Sequence, residues 1–167
     1  MILTIKLALE IIVEGLAVCF IFFFPCAVGV SNGPEKFAIF YEKRIQDWVI
    51  NHGLTTKKEL KRKSIICMSA IFLPLLTIIP AAVFFINGAR SFAEIFWQIT
   101  AVCYIGSVFD KVFMDYYWVG FTTTWDIPGT EQLKPYISKK DWVKKIIGAI
   151  VWPPLMGVIY AFCLHIN

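Results

Sequence analysis

The stretch TKKELKRKSIICMSAIFLPLLTIIPAAVFFINGARSFAE, Thr56 to Glu94, decides how the chain is threaded. It opens on Thr56-Lys-Lys-Glu59, the pattern of a helix start in which a hydroxyl and a carboxylate each bind the other residue's backbone N–H. The first two turns are polar. From Ser64 the sequence turns apolar, and Ile65–Ile86 is long enough to cross a hydrocarbon layer of ~30 Å. Pro74 and Pro80 lie inside this segment. Such prolines are tolerated in lipid when neighbouring helices satisfy the carbonyls they free, so they imply close helix packing or a bent wall. Asn87-Gly88 ends the segment, and Ser91-Phe-Ala-Glu94 at once repeats the helix-start pattern. Only a tight turn separates the two segments, so they run antiparallel.

The rest of the chain has the same character. It is 58% hydrophobic, with a mean hydropathy of +0.68. Soluble domains are about 45–50% apolar, and one soluble core in a chain of this size cannot hide the excess. The expected architecture is all-α: a single polytopic membrane domain with four transmembrane helices at about 3–30, 64–86, 92–118 and 144–165. The first block carries Lys6, Glu10 and Glu14 and the bulky run FIFFFP. These fit a retained helix, kinked at Pro25, better than a cleaved signal peptide, which needs a basic start and a small-residue cleavage site. Ser138-Lys-Lys-Asp141 opens the last helix, and Pro153-Pro154 is expected to bend or break it.

Between the first two spans, Asn32-Gly-Pro-Glu35 reads as a helix start with Asn32 as cap. Phe37, Phe40, Tyr41, Ile45, Trp48 and Val49 then fall on one helical face. The spacing predicts an amphipathic helix over 34–51 on the membrane interface; a soluble helix packed on another loop is the alternative. Gly53 is placed to end it. Eight Lys/Arg lie in 31–63 and five in 122–145, thirteen of the sixteen in the chain. By the positive-inside rule both loops are cytoplasmic and both termini are outside the cell membrane.

The third span runs into GSVFDKVFMDYYWVGFTTTWDIPGTE, Gly106 to Glu131, where charges, aromatics and turn residues come together. Ile127-Pro128-Gly129-Thr130 has the residues of a type II turn. Lys111 and Asp115 are spaced to pair along a helix. Asp110 and Asp115 are five apart and would not share an α-helical face, which would instead set Asp110 with Tyr117. The candidate binding pocket comprises Asp110, Lys111, Asp115, Tyr117, Trp118, Asp126 and Glu131, with Lys134, Lys139 and Lys140 nearby. Acid and base side by side suit a zwitterionic headgroup. A second candidate, for a proton or cation, is Glu14 with Glu94 and Arg90. The plain alternatives are an aromatic interface belt with ordinary ion pairs, and snorkelling or capping glutamates.

The motifs GSVFDKVFMDYYW and WDIPGTE resemble small, uncharacterised bacterial multi-span membrane proteins, in which an Asp-bearing aromatic helix end leads into a Pro-Gly-Thr-Glu turn. The resemblance covers 106–137. It implies a membrane location and carries no activity and no site residues.

Several chemistries are missing from the sequence. There is no G-x-S-x-G, H-E-x-x-H, C-x-x-C or phosphate-cradling glycine loop. Cys19, Cys26, Cys67, Cys103 and Cys163 all lie in apolar blocks and read as small hydrophobes. His52 and His165 fall on opposite sides of the threading, so no histidine metal site is expected, and no cofactor. The expected function is non-enzymatic: binding or passing a small amphiphile or ion, in contact with membrane lipid, as a homo-oligomer or part of a larger membrane assembly, with no nucleic-acid partner. The alternatives are an enzyme acting on a lipid headgroup or prenyl-linked substrate through Asp110, Asp115 and Glu131, and a proton- or cation-coupled carrier centred on Glu14 and Glu94.

Overall fold

The computed structural model describes residues 4–165, and these contain helices and turns but no strand. Helix α1 spans Ile5–Ser31. A 3-10 turn at Pro34–Phe40 leads to the short helix α2, Lys43–Asn51. Helix α3, Lys57–Ala81, runs on through a wide turn with i→i+5 hydrogen bonds at Ala82–Ile86. Helix α4, Phe92–Phe109, continues as a π-helix over Asp110–Val119. A 3-10 turn at Glu131–Leu133 precedes α5, Lys139–His165. Four of these, α1, α3 with its extension, α4 with its extension, and α5, are long and apolar enough to cross a membrane.

The helix starts follow the capping logic. Thr56 Oγ1 accepts from the Glu59 N–H at 3.2 Å while Glu59 Oε2 accepts from the Thr56 N–H at 3.3 Å. Ser91 and Glu94 form the same pair of bonds, at 3.3 and 3.1 Å. Ser138 differs. Its hydroxyl accepts from the Asp141 N–H, but its own N–H goes to Glu42 rather than to Asp141, which pairs with Lys144. Asn32 also differs from expectation. Its side-chain amide donates to Val28 O at 2.7 Å, so it closes the end of α1 instead of capping the next helix.

Helix α4 is central and packs on both α1 and α5, while α1 packs on α3. Helices α3 and α5 are not packed along each other. They meet where Tyr160 of α5 donates its hydroxyl to Leu76 O of α3 at 2.8 Å. Leu76 precedes Pro80 by four residues, so its carbonyl has no helical donor, and Tyr160 supplies one. Tyr104 of α4 does the same for Ile150 O, four residues before Pro154, at 2.9 Å. With that carbonyl satisfied, Pro153-Pro154 does not break α5, which is one uninterrupted helix.

The amphipathic segment over 34–51 is not a single helix on a lipid surface. It breaks at Tyr41 and Glu42, both extended, with ψ of 160° and 154°. Three interactions hold the break open. Tyr41 donates its hydroxyl to Trp125 O, Gln46 donates to Tyr41 O, and Glu42 accepts from Arg44 and from Ser138 N. Phe37, Tyr41, Ile45 and Val49 are buried in the largest core cluster, together with Trp125, Ile127 and Tyr136 of the second loop and Cys67 and Ile71 of α3. The two lysine-rich connections therefore fold onto each other as a cap at one end of the bundle. The type II turn is as expected: Gly129 has φ +84°, and the Thr130 N–H bonds Ile127 O at 3.1 Å.

In the most apolar stretch of each of the four long helices, no more than 33% is buried within the protein. Their outer faces carry side chains such as Phe20, Phe24, Leu73, Ile147 and Phe162. Of the cysteines, Cys19, Cys26 and Cys67 are buried, whereas Cys163 faces outward on α5.

Two glycines of α5 test this packing against intrinsic helix propensity. A Cβ at Gly157 would lie 2.8 Å from Phe96 O and collide with Thr100 Oγ1, whereas one at Gly148 meets nothing within 4 Å. Alanine favours a helix over glycine by ~1 kcal/mol. Gly148→Ala should therefore leave the melting temperature unchanged or raise it. Gly157→Ala should lower stability by about 1–3 kcal/mol, read as a lower melting temperature of the purified protein.

Candidate functional site

The loop end of the bundle holds a network of four charges. Lys111 and Asp115 sit one turn apart, and Lys111 Nζ reaches Asp115 Oδ2 at 2.7 Å. Lys111 also pairs with Asp110. Lys145 of α5 binds the other oxygen of Asp115, Oδ1, at 2.6 Å. Asp115 is buried and only 8% of its side-chain surface is exposed; the corresponding values are 18% for Lys111, and 35% for both Asp110 and Lys145. A carboxylate this deep is tenable because each of its oxygens accepts a charge-assisted hydrogen bond.

The π-helix explains why these groups meet. In an α-helix residues five apart diverge, but with i→i+5 hydrogen bonds they stack. Asp110–Val119 takes that geometry, so Asp110 and Asp115 come to one side of the helix and share Lys111. The expectation that they would not share a face fails because it assumed α-helical geometry. Tyr117, placed with Asp110 by the same assumption, is exposed and lies against Phe113.

Of three cavities that adjoin the network, two have a wall in common. One of about 240 Å³ is lined by Phe22, Tyr41, Met114, Asp110, Asp115 and Lys145, among others, under the folded cap. The other, of about 350 Å³, is the groove between α3 and α5, with walls that include Phe72, Leu76, Ile79, Trp152 and Tyr160. Asp110 and Lys145 line both cavities, so the apolar groove and the capped chamber share a charged wall. Small-molecule sites are of this kind, mostly apolar with a few convergent polar groups.

The other candidates fall at varying distances from this wall. Trp118 is packed between Phe23 and Trp125 as part of the core. Asp126 pairs with Lys134 at 2.7 Å and borders a separate cavity of about 240 Å³ that Asp115 also lines. Glu131 does not converge with Asp110 and Asp115. It accepts from the Gly129 N–H, and the backbone N–H groups of Glu131 and Gly129 hold its carboxyl below the usual range. Lys139 and Lys140 are exposed and line neither the chamber nor the groove. Under the cap, burial and the neighbouring Tyr136 push the Tyr41 hydroxyl above the ordinary tyrosine range, so it stays a donor to Trp125 O.

At the opposite end, Glu14, Glu94 and Arg90 do not form one cluster. Glu94 caps α4 through the N–H groups of Arg90 and Ser91. The Arg90 guanidinium donates to Phe84 O and lies over the Phe84 ring. Glu14 is buried beside Asn87, which donates to Gln98 Oε1 at 2.9 Å. Glu10 pairs with Lys6 instead. Among the described residues no group of three or more His, Cys, Asp or Glu could hold a metal ion.

Lys145 is the member that sequence reasoning missed. It counts as one of several loop lysines until tertiary packing sets α5 against the π-helix; Lys144, next to it, points to Asp141 instead. Only the requirement that a buried Asp115 find a second cation could have singled it out.

No family model, no curated protein and no solved structure matches this chain, so the site is read from its own geometry.

Removing one partner of a buried ion pair leaves the other uncompensated. Asp115→Asn should destabilise the protein by about 3 kcal/mol. Lys144→Gln breaks only an exposed pair and should change stability by less than ~0.5 kcal/mol. Thermal or denaturant unfolding of the two variants side by side checks both.

Proposed function

We propose that the chain is an integral membrane protein that binds an amphiphile entering from the side. The four long helices cross the bilayer, both lysine-rich connections face the cytoplasm, and both termini are outside the cell membrane. The apolar tail of the ligand lies in the groove between α3 and α5, and its polar end rests on Asp110, Lys111, Asp115 and Lys145. The outer faces of the four helices are apolar along lengths that suit a bilayer, and the lysine distribution supports the orientation.

The observation that carries this reading is the shared wall. Ionisable side chains at bilayer depth are costly and tend to mark a ligand path. Here they stand where an apolar groove between α3 and α5 meets a chamber beneath the folded cap. A binding role is favoured over a catalytic one because Glu131 is turned to Gly129, away from the two aspartates. The carrier reading loses its proposed partner, since Glu94 is occupied as a cap.

Gly148 lines the groove and has open space around it. Gly148→Phe should fill the groove without disturbing the packing of α5. Mass spectrometry of the protein purified in mild detergent should find a bound amphiphile in the wild type and a loss of about tenfold or more in Gly148→Phe. An identical ligand profile in both proteins contradicts the reading.

A further inference from the structure

A further cavity, of about 510 Å³, lies between α1 and α3. Its walls change character along the helices. Asn32, Lys36 and Lys63 line the end next to the lysine-rich connections, while Phe24, Val28, Ile66 and Ala70 line the part deeper in the bundle. Phe24 is about two turns of α1 from Asn32, and Ala70 about two turns of α3 from Lys63, a depth of about 10 Å. Phe24, Val28 and Ile66 are exposed on the outer faces of their helices, so the apolar wall borders the outer surface of the bundle.

The polar end carries positive charge with no counter-charge. Lys63 donates its ammonium to Lys36 O at 2.7 Å, which fixes it over the 3-10 turn. Among the described residues neither Lys36 nor Lys63 forms an ion pair. No acid lines the cavity. The nearest acids in sequence are turned elsewhere: Glu35 folds back over Gly33, and Glu59 accepts from the Thr55 hydroxyl and the Thr56 N–H. Lys57, Lys58, Lys61 and Arg62 add charge of the same sign at this end of α3. A cationic headgroup is repelled here by both lysines. A zwitterionic one brings no net charge to offset them, and an anionic one offsets both.

We propose that this cavity holds an anionic glycerophospholipid of the cytoplasmic leaflet, with its phosphate on Lys36 and Lys63 and the upper part of an acyl chain between α1 and α3. A run of Lys/Arg directly before a membrane span is a recognition pattern for acidic lipids, and the apolar wall beside it supplies the place for the chain. Inorganic phosphate would use only the polar end. The inference shares the membrane placement and orientation proposed above and is independent of the groove between α3 and α5.

The test uses the full chain in neutral detergent micelles, with phosphatidylglycerol bearing a diazirine in one acyl chain as probe. Label is mapped by mass spectrometry of the peptides that carry 24–32 and 66–70. Labelling there should be saturable, and unlabelled phosphatidylglycerol should compete at least about tenfold better than phosphatidylcholine. The double variant Lys36→Gln, Lys63→Gln should weaken the probe about tenfold, and Lys36→Arg with Lys63→Arg should hold it within about threefold of wild type. Lys57→Gln with Lys58→Gln removes the same charge outside the cavity and should cost less than about threefold. Ala70→Phe, at an exposed wall position, should exclude the acyl chain and lower the label about tenfold. Equal competition by phosphatidylcholine overturns the anionic assignment. An equal loss in the Lys57/Lys58 pair overturns the site, because a diffuse field then accounts for the attraction. Inorganic phosphate competing as well as the lipid overturns a lipid as occupant. Label confined to α5 overturns this site while leaving the groove between α3 and α5 standing.

Discussion

One carboxylate, that of Asp115, constrains much of the rest. It is buried, and a buried carboxylate needs cations and hydrogen bonds on both oxygens. Lys111 supplies one from the same helix, and Lys145 supplies the other from α5. The second of these contacts joins the π-helical end of α4 to the first turns of α5. It also places the ammonium of Lys145 where the groove and the capped chamber meet. The π-helix is part of the same solution, because its wider turn stacks Asp110 over Asp115 and lets one lysine serve both.

A second constraint is the backbone. Each proline inside a long helix frees a carbonyl that has no water to turn to in an apolar setting. Tyr160 answers Pro80 through Leu76 O, and Tyr104 answers Pro154 through Ile150 O. The first of these bonds joins α3 to α5 at the far end of the groove. The groove is thus bounded by a tyrosine bridge at one end and by the charge network at the other. Close packing elsewhere, such as Gly157 against Phe96 and Thr100, keeps α4 and α5 in register.

Much of the helical layout was legible in the sequence. Two of the expected capping boxes are complete, at Thr56 and Ser91, and so is the Pro128-Gly129 turn. Each is a local signal, decided by residues three or four apart. The misses are the places where distant residues override a local pattern. Tyr41 and Glu42 are pulled out of helix by Trp125 and Ser138, which lie more than eighty residues away. That turns an expected lipid-facing helix into a buried lid. Asp110 and Asp115 converge only because the helix widens, which no α-helical periodicity encodes. Lys145 joins them only through packing. Of the candidate residues, Asp110, Lys111 and Asp115 do come together, while Asp126, Glu131, Tyr117 and Trp118 serve other contacts.

The central proposal is that the four helices span a bilayer with both lysine-rich connections on its cytoplasmic side. Vectorial labelling tests this most directly. Single cysteines at Lys57 and Lys139, in a chain whose native cysteines have been replaced, would be exposed to a membrane-impermeant maleimide in intact cells and in inverted vesicles. Both positions should react in the inverted vesicles and neither in intact cells. Reaction of the two from opposite sides, or of both in intact cells, would contradict the threading on which the proposed function depends.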